Sequence, residues 1–134
     1  MVPYWPDVAK DPSSSKADKD FADAFDSIDK VVFSKSIGHI EDKRTIVVRT
    51  DLKDEIFKLK QEPGKDILVG GIDLPSQLIA LGLVDEFLFI VNPIITGGGR
   101  RLFEGISLPE KLQLTLVDSI ISKSGHVALR FIKR

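Results

Sequence analysis

The stretch from Asp66 to Phe103 limits the fold of this chain more than any other. Asp66–Val69 reads DILV, Gly70 and Gly71 follow, Asp73–Gly82 reads DLPSQLIALG, and Asp85–Val91 reads DEFLFIV. An apolar run of strand length, a glycine turn, a helix stopped by Gly82 and a second apolar run predict a strand–turn–helix–strand unit. Such a unit favours a parallel sheet covered by helices. Glycines at the turn let a backbone approach a bulky anion, and a helix starting there presents unpaired N–H groups and the positive end of its dipole. The turn therefore suits a phosphate, and it equally suits a tight ligand-free connection. It is neither GxGxxG nor a Walker loop, because Gly64-Lys65 lacks the preceding glycine spacing and the following Ser or Thr. In Gly97-Gly98-Gly99-Arg100-Arg101 the glycines read as conformational and the arginines as a solvated basic pair.

Residues 1–13 hold three prolines, which predicts extended or turning chain, with Tyr4 and Trp5 packed into a core. Ser13–Ser15 can cap a helix to about Ser27, with Phe21, Ala22, Ala24, Phe25 and Ile28 at helical spacing. KVVFS (Lys30–Ser34) and TIVV (Thr45–Val48) predict strands separated by a turn at Gly38. Asp51 or Asp54 can cap a helix through Gln61, ended by Pro63 and Gly64. Leu112–Ser122 and His126–Lys133 predict two strands joined at Ser124-Gly125 as an antiparallel hairpin. The order predicts an α/β fold: a mainly parallel central sheet flanked by helices, closed by a C-terminal antiparallel hairpin.

The remaining properties narrow the function. At 134 residues the chain has the length of one domain, and its net charge of -1 gives no field for nucleic acid or an acidic membrane. Without cysteine there is no disulfide, thiolate metal site or cysteine nucleophile. His39 and His126 follow turns and read as surface residues, with no metal-binding spacing, and no two carboxylates stand out as an acid/base pair. The N-terminus lacks the pattern of a signal peptide, and no apolar stretch approaches the roughly 20 residues that span a bilayer. A cytoplasmic protein is expected. Ser34-Lys35-Ser36 ends the strand KVVFS, and its hydroxyls and ammonium suit a phosphate monoester or simply a solvated strand end.

The run ILVGGIDLPSQLIALGLVDEFLFIVNPIITGGGRRLFEG, with YWPDV and VVFSKS before it, resembles the reductase domain of the bifunctional riboflavin-biosynthesis deaminase-reductase, a three-layer dihydrofolate-reductase-like fold. The resemblance covers essentially the whole chain as one domain. It implies NADPH as hydride donor to a small heterocyclic or carbonyl substrate, with 5-amino-6-(5-phosphoribosylamino)uracil as the substrate of the biosynthetic enzymes, and a homodimer. By that resemblance Ser34, Lys35 and Ser36 approach the adenosine 2′-phosphate. Gly70, Gly71, Ile72, Asp73 and Leu74 wrap the pyrophosphate, with Ser76 and Gln77 nearby.

The chain also departs from the family pattern. The family's opening strand, its Ser-Leu-Asp-Gly loop and its Gly-Arg-x-Thr-Tyr-Glu-like turn are not found in this sequence, so an N-terminally truncated domain is expected and no catalytic residue is assigned. Val69 stands where the biosynthetic enzymes carry a substrate-contacting glutamate, which argues against a pyrimidine ribityl phosphate. Two other readings stay open: a degenerate relative that keeps the fold and binds nucleotide without turnover, and a small module holding flavin mononucleotide.

Overall fold

The computed structural model describes residues 4–108 and 110–134. The chain forms two compact units, Met1–Leu52 and Lys53–Arg134.

In the first unit, α1 (Tyr4–Lys10) is followed by α2 (Lys16–Ser27), β1 (Lys30–Phe33) and β2 (Thr45–Val48). Extended chain is expected across the prolines, yet Tyr4–Lys10 is helical. Pro6 sits in the first turn, where its missing N–H breaks no helical bond. Helix formation here serves packing: Trp5 lies 4.5 Å from the Phe21 ring and edges Tyr4 at 5.2 Å. The core role expected for Trp5 is met in part, since it is half-buried while Tyr4 stays exposed. Ser15 caps α2 as expected, within a capping box shared with Asp18.

β1 and β2 pair in parallel, Lys30 opposite Thr45 and Phe33 opposite Val48. The loop between them is held by Asp42. Its carboxylate accepts the Thr45 hydroxyl at 2.6 Å and the Arg44 N–H at 3.0 Å, and it pairs with the Lys30 ammonium at 3.3 Å.

In the second unit, α3 (Leu52–Gln61) and α4 (Asp73–Ala80) precede β3 (Glu86–Val91), β4 (Leu114–Ile121) and β5 (Val127–Lys133). The three strands form an antiparallel sheet in the order β3-β5-β4. The C-terminal hairpin is present, with Gly125 at φ 85° in its turn. Phe87 is 7% exposed, lies opposite Phe131 and stacks on Phe89, which in turn edges Phe131 and Phe103. Ile56 of α3 and Leu78 and Ile79 of α4 are also buried. Gly82, at φ 70°, ends α4 as expected, and Leu83 N–H closes onto the Leu78 carbonyl. Lys60 of α3 reaches Asp85 and the Leu83 carbonyl, tying that helix to the start of β3.

The α/β class read from the sequence holds. Among the described residues parallel pairing is confined to β1 and β2, and β3 joins the antiparallel set, so the mainly parallel central sheet expected from the sequence does not form there. The strand expected at Asp66–Val69 does not form: residues 66–70 join no ladder, and Leu68 is 90% exposed. An apolar run becomes a strand only where a neighbour supplies hydrogen-bond partners, and no strand flanks this one among the described residues.

Two outcomes are expected. Truncating Phe87→Ala removes the best-buried ring of the second unit and costs about 3–5 kcal/mol, read by urea unfolding with circular dichroism. The Thr45 hydroxyl first, then the Arg44 N–H and the Lys30 ammonium, hold the Asp42 carboxyl below its ordinary value of 3.8. A depressed folded pKa means that the stabilisation is complete above 3.8 and is lost as pH falls through the lowered value. The stabilisation from Asp42 should therefore begin to fade as pH falls below 3.8, and Asp42→Asn should lower stability at neutral pH while flattening the acid limb, read by acid titration with circular dichroism.

Candidate functional site

Parallel strands put their carboxyl ends side by side, and that is where open α/β sheets bind ligands. In the first unit this edge carries Ser34 after β1 and Arg49 after β2. Ser34 N–H donates to the Val48 carbonyl at 3.2 Å, extending the ladder by one bond. Its hydroxyl oxygen accepts the N–H groups of Ser36 and Ile37 at 3.3 and 3.1 Å. A tight turn results, with the Ser36 hydroxyl 3.5 Å from that of Ser34. Lys35 and Ser36 are exposed at its tip. The Arg49 guanidinium donates to the carbonyls of Ile37 and Gly38 at 2.7 and 3.2 Å and pins the far side of the turn. The structure thus brings Ser34, Lys35 and Ser36 together and adds a second cation, Arg49. Sequence reasoning passed over Arg49; its signal was its place directly after a predicted strand.

In the second unit, Gly70 and Gly71 lead into α4. Gly71 has φ 92°, a conformation that disfavours any side chain. A Cβ at either glycine would meet nothing within 4 Å, so the turn is open to an approaching group. Ile72 stands at the N-cap and makes no side-chain cap, so the first-turn N–H groups have no protein side chain assigned to them there. Ser76 is committed elsewhere, its hydroxyl donating to the Ile72 carbonyl at 2.6 Å. Gln77 is exposed one turn in and reaches the Asp73 carbonyl at 3.4 Å.

Asp73 works against a phosphate at this helix start, because its carboxylate competes for the positive end of the dipole. Arg100 offsets that charge, pairing with Asp73 at 2.5 Å and tying the glycine-rich loop to the start of α4. Arg100 is exposed, as expected of a solvated basic side chain, and the pair with Asp73 is added to that reading. Glycines at 97–99 allow the loop to bend, but a partner 27 residues away leaves no local signal.

Both groups have the chemistry of a phosphate ligand: hydroxyls, an ammonium and a guanidinium in one unit, and an uncapped helix start behind two glycines in the other. Among the described residues no cluster of His, Cys, Asp and Glu could hold a metal ion. His39 is exposed, and His126 is part-buried in the hairpin turn with Nδ1 2.7 Å from the Ser124 hydroxyl. His39 directly follows Gly38, whose carbonyl accepts from Arg49.

A family model described as the RibD C-terminal domain matches residues 11–127. The chain belongs to this family. The uncharacterized protein YyaP of Bacillus subtilis strain 168 is 39% identical over 101 residues, which are 75% of this chain and 52% of YyaP. YwjB of the same organism is 30% identical over 84 residues, 62% of this chain and 48% of YwjB. This RibD-type chain thus spans about half the length of those relatives. A crystal structure of a proposed riboflavin biosynthesis protein from Shewanella sp. PV-4 superposes with a TM-score of 0.70 at 20% identity, covering 89% of this chain and 71% of that one. The fold is therefore that of the family, a reductase-like one. No helix among the described residues is long and apolar enough to cross a membrane.

Replacing Gly71→Ala should strain the turn by about 1–2 kcal/mol, because its φ is positive. The expected result is faster amide exchange across the first turn of α4 with the β3-β5-β4 ladder unchanged; uniform loss of protection across the unit would contradict it.

Proposed function

We propose that this chain binds NADPH and belongs to a reductase that passes hydride to a small heterocyclic or carbonyl substrate. The observation that carries the reading is the turn after β1, where Ser34, Lys35, Ser36 and Arg49 gather hydroxyls and two cations at the carboxyl end of a parallel pair. A 2′-phosphate needs that combination, and NADH has no group to use it. The turn at Gly70-Gly71 and the uncapped start of α4, from Ile72 through Leu74 with Gln77 one turn in, suit the pyrophosphate. Family membership supports the same assignment. When bound, the cofactor supplies the hydride; the protein's own share is to hold the phosphates and fix the orientation of the dinucleotide.

Val69 bears on the substrate. It precedes the glycine pair, is half-buried and has no polar side-chain atom for a substrate to contact. The substrate would then be held by other groups, and a phosphoribosylamino-uracil is not the preferred candidate. A second reading, nucleotide binding without turnover, is favoured by the unpaired run at residues 66–70. That run leads straight into the proposed pyrophosphate turn and has no sheet beneath it to hold it rigid. A cytoplasmic homodimer remains part of the proposal.

Thermal shift with NADPH and NADH tests this. NADPH should raise the melting temperature and NADH should do so less. Lys35→Ala should weaken NADPH by about tenfold, the value of one charge-assisted contact, and leave NADH unchanged. Equal losses for both nucleotides would remove Lys35 from the 2′-phosphate, and no shift with either at millimolar concentration would end the reading. NADPH oxidation assays then separate the enzyme from the binding-only alternative.

A further inference from the structure

The hairpin turn between β4 and β5 carries a hydrogen-bond circuit that its backbone does not need. The main chain closes the turn by itself. Ser122 N–H donates to the His126 carbonyl at 2.9 Å, Gly125 N–H donates to the Ser122 carbonyl at 3.0 Å, and Gly125 sits at φ 85°. Side chains then add a second set of contacts. His126 N–H donates to the Ser122 hydroxyl oxygen at 3.1 Å, the Ser122 and Ser124 hydroxyls lie 2.8 Å apart, and the Ser124 hydroxyl lies 2.7 Å from His126 Nδ1. Ser122, Lys123 and Ser124 are exposed, and His126 is half-buried.

The proton on the imidazole decides which way this circuit runs. A neutral ring can accept at Nδ1. Ser124 then donates to the ring, Ser122 donates to Ser124, and His126 N–H donates to Ser122, so both hydroxyl protons have acceptors within the turn. A protonated ring carries a hydrogen on each nitrogen and can only donate. Nδ1–H then points at Ser124, Ser124 donates to Ser122, and the Ser122 hydroxyl proton has no acceptor left in the circuit. Protonation thus adds a positive charge and releases a hydroxyl donor at a turn that already presents the Lys123 ammonium. Hydroxyl donors beside cations are what hold an oxyanion.

The surroundings do not oppose an anion. The segment packed on the turn, Asn92-Pro93, is uncharged, with Pro93 Cγ 3.4 Å from where a Gly125 Cβ would stand. Val91, which pairs with Val127, is uncharged as well. Among the described residues no carboxylate forms an ion pair with His126 or Lys123. The Ser34 turn has the same Ser-Lys-Ser order and a Gly-His pair after it, with Ile37 inserted between. There the Ser34 hydroxyl oxygen accepts from Ser36 and Ile37, and the His39 ring joins no such circuit among the described residues.

We propose that the Ser122–His126 turn binds a tetrahedral oxyanion of the sulfate type when His126 is protonated and releases it when His126 is neutral. The site rests on neither the nucleotide reading nor the Ser34 turn, so each can fail alone.

Sulfate is the probe, because it keeps its double charge while an imidazole titrates, so a change of affinity with pH belongs to the protein. Amide and imidazole spectra of the labelled 134-residue chain are recorded during sulfate titrations, against chloride of equal ionic strength, at about pH 5.5 and about pH 8. Saturable shifts are expected at Ser122 through His126, with sulfate about tenfold tighter at the lower pH, the size of one charge-assisted contact. At the higher pH the ring should carry its proton on Nε2 and none on Nδ1. His126→Gln should keep the circular dichroism and lose the pH dependence, while Lys123→Ala should weaken sulfate at both pH values. Equal affinity at the two pH values, a neutral ring protonated at Nδ1, or no saturable shift at the turn below about 100 mM sulfate would each overturn the proposal. A pH dependence of the same size at the Ser34 turn would also overturn it, by assigning the effect to net charge.

Discussion

Backbone groups in a strand must find partners, and in this chain the availability of partners decides which segments are held in place. β5 is bonded on both sides and carries the second unit's sheet. β1 and β2 bond each other and carry Ser34 and Arg49 at their carboxyl ends. Residues 67–69 are all apolar, yet residues 66–70 join no ladder among the described residues. The consequence for the candidate site is direct. The Ser34 turn stands on a ladder and is closed by five hydrogen bonds, one each from Ser34, Ser36 and Ile37 and two from Arg49. The Gly70-Gly71 turn is braced from one side only, by α4 and the Arg100–Asp73 pair.

Local patterns were readable and distant pairings were not. Ser15 as a cap, Gly82 as a helix stop, Ser124-Gly125 as a hairpin turn and the strands KVVF and TIVV all follow from residues within a few positions of one another. The helix at Tyr4–Lys10 was hidden because three prolines signal extended chain, while what forms it is ring packing onto Phe21. The run DILV satisfies every local rule for a strand and still fails to become one, since pairing depends on a neighbour that local sequence does not specify. Arg49 was passed over, and the partner of Arg100 was missed, for the same reason: their partners lie 11–12 and 27 residues away.

The candidate site shows a parallel division. Its residues could be named from local patterns, a hydroxyl–lysine–hydroxyl run after a strand and a glycine pair before a helix, and each pattern equally suits a ligand-free turn. Its counter-charges could not. Asp73 places a carboxylate at the start of α4, and the pair with Arg100 offsets that charge. Such exposed pairs contribute about 0–1 kcal/mol to stability, so their value here is in setting the local charge and not in holding the fold. The family fold is reductase-like, while the relatives are about twice as long as the part this chain matches. Cofactor binding and turnover are accordingly separate questions for this chain.

The most direct test of the nucleotide reading is residue-resolved. Amide correlation spectra of isotopically labelled protein, recorded during an NADPH titration, should show saturable shifts at Ser34 through Ile37 and at Gly70 through Leu74, with the β4 amides from Leu114 to Ile121 still. Shifts confined to one of the two turns would reduce the claim to a single phosphate contact. No saturable shift at either turn, or shifts centred elsewhere, would contradict it.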